Sequence, residues 1–339
     1  MRNIKHLIRE QTYKPKNASI NRLLKDYEET HFKIFRRVIM EWAPRIRDFL
    51  REETGLLLHS KRSKDPMLEI VPVGIDIEPD FEYIFAKLVD KKFEHMDFDK
   101  YCKLRKFMEN MHEHEKFFEG ESEKGNIRAL IEYCSNYFKE NDINMILDKL
   151  FKSRERGMEI YGAYIFGRMK IELYYLPILL LCRIKETDIE YTAAVILAHE
   201  LAHAYHHVGK DKDGVTWNTF TETNSEITEG LAQYYALRFV EEYESQFKGL
   251  REAYNGIIFH QEGVYRIHED WIKKYKNEHV RFALIAARRN SIVSYIDFQE
   301  ILKKSSEMVK TEEKDYANEV MMESIEFVQH QLSSKKDSQ

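Results

Sequence analysis

The stretch Thr187–Gly209, TDIEYTAAVILAHELAHAYHHVG, decides how this chain is read. Thr187 and Glu190 have capping-box spacing, which satisfies free N–H groups at a helix start. No proline follows, and Gly209 is a natural residue to end the helix. The span of about 21 residues predicts a helix roughly 32 Å long. Ala193 to Ala198, Leu201 and Ala202 make it apolar nearly all round, so it is expected to be buried. Within it lies His199-Glu200-Leu201-Ala202-His203. Residues four apart share one helix face, so both imidazoles can reach a single ion. Glu200 projects to the side, where a carboxylate can take a proton from metal-activated water without ligating the metal. With 14 His and at most 58 Glu in 339 residues, chance yields this pattern only about 0.1 times. Two histidines and a glutamate in an apolar helix are costly to bury unless something compensates, and a zinc ion would.

A hydrolytic zinc needs a third protein ligand and one open position. His207 stands eight residues after His199, about 12 Å along the axis, and cannot join the pair on one ion. His206 fails similarly, so both are expected beside the site or at the surface. A metzincin reading fails because position 206 is His and position 209 is Gly. The next segment, TETNSEITEGLAQYYALRF (221–239), predicts a second helix and offers Glu222, Glu226 and Glu229. Here the chain resembles the gluzincin metallopeptidases, in which HExxH on one helix is completed by a Glu on the next. The likeness covers roughly residues 159–240 and does not single out one family. Glu229-Gly230-Leu231-Ala232-Gln233-Tyr234 matches an EGxAxY stretch in several of those families, which implies Glu229 as the ligand. The small Gly230 and Ala232 would then let the two helices approach. Glu222 is the alternative, since 18 residues separate it from His203, a spacing also known among gluzincins. Thermolysin-like members carry an acid four residues after the ligand to orient a histidine. From Glu229 that position is Gln233, and from Glu222 it is Glu226. With Glu229 as ligand, Glu226 or a backbone carbonyl would have to fix the tautomers.

The resemblance also implies an edge strand above the metal that pairs with an extended peptide. The segment Glu159 to Tyr175 predicts a hairpin or bulged strand pair placed to supply it. An internal hairpin with no ligand fits the residues equally. Acyl transfer needs a donor for the developing oxyanion. Tyr234, Tyr235, His260, Tyr265, Arg266 and His268 are candidates. Tyr265 and His268 are favoured, because Gly263 to His268 is loop-like and precedes the helical stretch EHVRFALIAARRN. Arg288 and Arg289 could hold a carboxylate or pair with helix neighbours.

Beyond this region the chain sets broad bounds. Apolar residues make up 43% and charged residues 33% of 339, which excludes a wholly disordered chain. Three cysteines are too few and scattered for a disulfide framework and fit a reducing compartment. The net charge of −5 is not a nucleic-acid footprint, although residues 1–65 carry +7 and the remainder −12. That basic amino-terminal part could dock an acidic protein partner. There is no continuous apolar leader, and the greasiest run, Leu173 to Cys182, is too short to span a bilayer. A soluble, cytoplasmic protein is expected. Residues 19–53 predict one or two helices divided near Pro44, Lys61 to Pro66 a surface connection, Leu68 to Ile77 a strand, and 80–153 mostly helix with a loop near Gly120 to Gly125. His112 and His114 are read as solvated, Asp211 to Gly214 as a turn, and Cys182 as core.

The expectation is an α+β, mainly helical chain: a mostly helical amino-terminal region (1–155), a zincin-like metallopeptidase core with a small edge sheet (156–332), and a disordered tail (333–339). His199, His203 and Glu229 would hold Zn²⁺, Glu200 would act as general base on a peptide or protein substrate, and Tyr265 and His268 would assist. The competing expectations are a zinc-containing sensor or interaction module with rare or no proteolysis, and hydrolysis of a non-peptide amide.

Overall fold

A computed structural model gives the fold. It describes residues 32–58, 73–77, 100–101, 103–104, 106–108, 121–140, 161–259, 261 and 263–308. Along the chain these form α1 (Phe32–Arg37), a π-helical turn (Val38–Trp42), α2 (Ala43–Thr54), β1 (Gly74–Ile77), α3 (Glu121–Glu140), β2 (Gly162–Ile165), β3 (Lys170–Leu173), α4 (Tyr175–Lys185), α5 (Ile189–Val208), α6 (Ser225–Tyr243), α7 (Leu250–Ile258), α8 (His268–Lys274), α9 (Asn277–Arg289) and α10 (Tyr295–Met308). Tight 3-10 turns occupy Phe166–Arg168, Phe220–Glu222 and Gly263–Arg266. The described chain is mainly helical, with one three-stranded sheet in the order β1-β3-β2. None of its helices is long and apolar enough to cross a membrane.

Several local expectations change. The helical run is continuous through Pro44, and the change near it is a π turn at Val38–Trp42, where the Ala43 amide bonds to the Val38 carbonyl just before the residue that lacks a donor. Residues from Glu121 onward are helical rather than looped, so Gly125 lies inside α3. One glycine costs a helix only about 1 kcal/mol, which a long helical run absorbs. The apolar run beginning at Leu173 leaves β3 and becomes α4, with Pro177 tolerated in the first turn. Helix α5 starts at Ile189, one residue later than a Thr187 cap requires. The amide of Thr187 bonds to the Cys182 carbonyl at 3.2 Å, behind a left-handed Glu186 that closes α4. The Lys61–Pro66 connection, residues 68–72 of the expected strand, His112, His114, His260 and the tail lie outside the described residues.

The chain forms two compact units. One comprises Met1–Arg36, Ile77–Ala163 and Leu173–Glu190. Within it α4 buries Leu176, Ile178 to Leu181 and Cys182, which is core as expected. The other comprises Arg37–Asp76, Tyr164–Glu172 and Tyr191–Gln339, and it carries the histidines. Its core is built from α5 (Ala193 to Ala198, Leu201, Ala202), α6 (Ile227, Leu231, Phe239, Val240) and the inward faces of α7, α9 and α10. Trp42, delivered by the π turn, packs edge-on against Tyr191, Phe239 and Phe247 at 4.8–6.0 Å. The Tyr205 hydroxyl donates to the Arg47 carbonyl at 2.8 Å, which ties α5 to α2.

The carboxyl end of α5 is held from outside. Arg288 on α9 is almost completely buried and donates to the carbonyls of His206 and Gly209, and to that of Val215 at 3.0 Å. A guanidinium thus satisfies helix-end acceptors that have no intrahelical donor. Burial lowers its pKa to about 10, so it keeps its charge at neutral pH. Arg289 pairs with Asp211 at 2.9 Å and with Asp213. Asp211 to Gly214 is a turn, as read: the Asp211 carboxylate accepts from the amides of Asp213 and Val215, and Gly214 is left-handed at φ 79°.

Candidate metal centre

Helices α5 and α6 bring three donors together. The Nε2 atoms of His199 and His203 lie 3.1 Å apart, and each is 3.3 Å from Oε2 of Glu229. The imidazoles come from successive turns of α5 and meet nearly at right angles, with centroids 4.7 Å apart. Both are buried, while Glu229 is half-buried. Among the described residues these three form the cluster of potential ligands able to share an ion.

The donor set fits a metal on two counts. A tetrahedral ion with bonds of about 2.0–2.1 Å separates its donors by about 3.3 Å, and the observed triangle has sides of 3.1, 3.3 and 3.3 Å. The second count is convergence: in the tautomers that carry their proton on Nδ1, both Nε2 atoms and the carboxylate oxygen are acceptors, and a cation at the centre would hold all three together.

Local structure separates the two glutamates proposed for the third position. Asn224 precedes α6, with its amide on the Val293 carbonyl at 2.9 Å and its Oδ1 accepting from the Tyr295 amide at 3.2 Å. The helix therefore begins at Ser225 and places Glu229 one turn in. Glu222 ends the preceding 3-10 turn, is exposed, and does not join the cluster. Glu226 is half-buried in the first turn of α6 and is likewise outside it.

Gly230 serves a different neighbour from the one read in the sequence. A Cβ built there would fall 2.7 Å from Cη2 of Trp271. The missing side chain thus lets α8 seat its indole against α6. Gln233, in the position where a thermolysin-like chain has an acid, is buried and donates to Oε1 of Gln261.

Glu200 is completely buried on α5 beside His199 in sequence. Tyr265, on the Gly263–Arg266 turn, holds its ring 6.3 Å from that of His199. His268 is buried at the start of α8, with Nε2 2.7 Å from the Tyr254 hydroxyl. Burial pushes its pKa down to about 4, with Glu269 and the Tyr265 backbone opposing the shift and His199 and Arg266 adding to it. The ring is therefore neutral at physiological pH. Other candidates have partners elsewhere: Tyr234 donates to Asn277 at 3.0 Å, and Arg266 pairs with Glu269 at 2.8 Å. Tyr235 is buried with its ring 5.5 Å from His206.

His206 is fully buried, and burial first, then the neighbouring His203, Arg288 and His199, drive its pKa well below the usual histidine range, so of the two places read for it the one beside the site holds. His207 is half-buried, stacks on Phe220 at 5.1 Å, and contacts the Tyr164 hydroxyl through Nδ1 at 3.1 Å. Phe220 in turn lies 6.4 Å from His203. Sequence reasoning missed this aromatic support. The hairpin is present, but among the described residues β3 is the central strand of the sheet and β2 lies at its edge.

No protein-family model matches the chain, and neither a search of curated proteins nor one of solved structures returned a match.

Proposed function

We propose that this chain is a zinc-dependent metallopeptidase with a zincin-like core. The observation that carries the reading is the triangle of His199, His203 and Glu229 donors, sized for one tetrahedral ion, on a helix that also carries Glu200. Two imidazoles and one carboxylate suit several divalent ions, iron among them, and it is the sequence His199-Glu200-Leu201-Ala202-His203, with an acid next to the first histidine, that favours zinc. When bound, zinc supplies a Lewis acid that polarises a scissile carbonyl and acidifies water.

The chain's own residues do the rest. Glu200 accepts a proton from the attacking water and delivers it to the leaving amine. Tyr265, the candidate donor on the turn beside His199, offers a hydroxyl to the oxygen that gains charge. The edge strand β2 receives the peptide backbone by strand addition, which gives affinity with little sequence selectivity.

Glu200→Gln tests the reading. The variant retains stoichiometric zinc, while hydrolysis of labelled casein falls by at least about 10³-fold, within the range general-base removal can cost. Unchanged turnover refutes the role of Glu200. Stoichiometric zinc with no chelator-sensitive casein or peptide-library hydrolysis in the parent protein overturns the peptidase reading and leaves a zinc-holding interaction module.

A further inference from the structure

Helix α6 is joined to the Tyr265 segment on both sides of its turn. Before the turn, the Gln233 amide donates to the Gln261 carbonyl oxygen. After it, Trp271 closes over Gly230. Gln233 stands four residues after Glu229, hence one turn further along the same face of α6. Gly263 opens the turn at φ 61°, a left-handed conformation that makes it a natural pivot. Gln233 is nearly fully buried, so its amide has no water to turn to if Gln261 is lost. The other end of the segment is fixed separately by the Tyr254–His268 contact at 2.7 Å.

We infer that Gln233 is a positioning residue: through Gln261 it sets where Tyr265 stands relative to the His199–His203–Glu229 cluster. This rests on the peptidase reading only for its consequence on turnover. Gln233 keeps both groups in register because Glu229 and Gln233 belong to one rigid helix. Any tilt of α6 moves the ligand and the tyrosine turn together.

The test compares Gln233→Ala, Gln261→Ala and the double variant. Tyr265 nitration by tetranitromethane is quantified by peptide mass spectrometry on metal-free protein, with buried Tyr205 and Tyr235 as internal controls. Tyr265 nitration rises several-fold in each alanine variant and no further in the double, while the controls stay unreactive. With zinc bound at unchanged stoichiometry, kcat on labelled casein falls about 10- to 100-fold at constant KM, the scale of a misplaced group. Adding Tyr265→Phe to Gln233→Ala costs nothing more. Unchanged Tyr265 reactivity, an equal rise in all three tyrosines, or additive effects in the double variant overturns the inference. If the parent protein hydrolyses nothing, the nitration pattern still decides, so failure of the peptidase reading and failure of the tie are distinguishable. Gln261 is only half-buried, so its variant keeps the test available if Gln233→Ala does not fold.

Discussion

Gly230→Ala puts a methyl group where the indole of Trp271 lies. The added Cβ would stand 2.7, 3.2 and 3.3 Å from Cη2, Cζ2 and Cζ3 of that ring, against an ordinary carbon–carbon contact of about 3.5–4.0 Å. The ring cannot simply withdraw. Trp271 is 2% exposed, and its indole packs against Phe298 with centroids 5.3 Å apart. Overpacking of this kind costs about 1–3 kcal/mol. Replacing a mid-helix glycine by alanine returns about 1 kcal/mol. The net expectation is a loss of about 1 kcal/mol, or about 2–4 °C in Tm for a cooperative unit near 200 residues. Urea unfolding of the parent, Gly230→Ala, Trp271→Phe and the double variant measures it. In the Trp271→Phe background the clashing carbons are gone, so Gly230→Ala turns neutral or stabilising and the coupling reaches at least about 1 kcal/mol. Equal destabilisation in both backgrounds would refute the reasoning. It would mean that Gly230 makes room for α5, as the sequence alone suggested.

Zinc at about 100 times its dissociation constant adds about 2.7 kcal/mol of stability. Scanning calorimetry with zinc and with chelator shows the increment in the parent and in Glu222→Ala, and its loss in His199→Ala and Glu229→Ala; loss in Glu222→Ala instead transfers the third position to that residue. Stability also depends on pH through His268, whose pKa falls from 6.5 to about 4 on folding, first because of burial. A lowered histidine pKa favours the neutral native state, so this contribution is complete above pH 6.5 and is lost as pH falls towards 4. Over that window the parent loses about 3 kcal/mol more than His268→Gln, measured by urea unfolding at each pH; parallel profiles would show that the ring is not held neutral.

The two histidines were legible because a four-residue spacing on an apolar helix is a local property. It survives whatever the remainder of the chain does. The third donor of the cluster was not legible in the same way. Glu222 and Glu229 lie in one short segment, and their difference depends on where α6 begins. The Val293 carbonyl and the Tyr295 amide fix that start by engaging Asn224 from more than sixty residues away. Helix α4 was missed because an apolar run containing a proline has no periodicity to read.

The order of residues by itself determined that a buried helix carries two imidazoles one turn apart with a carboxylate between them, since 3.6 residues per turn needs no context. Tertiary structure alone decided what Gly230 accommodates, that Arg288 caps α5, that Gln233 reaches Gln261, and that Glu229 completes the triangle. Each of those joins groups distant along the chain or different in helical phase. Such contacts exist only once packing has fixed how the elements lie against one another.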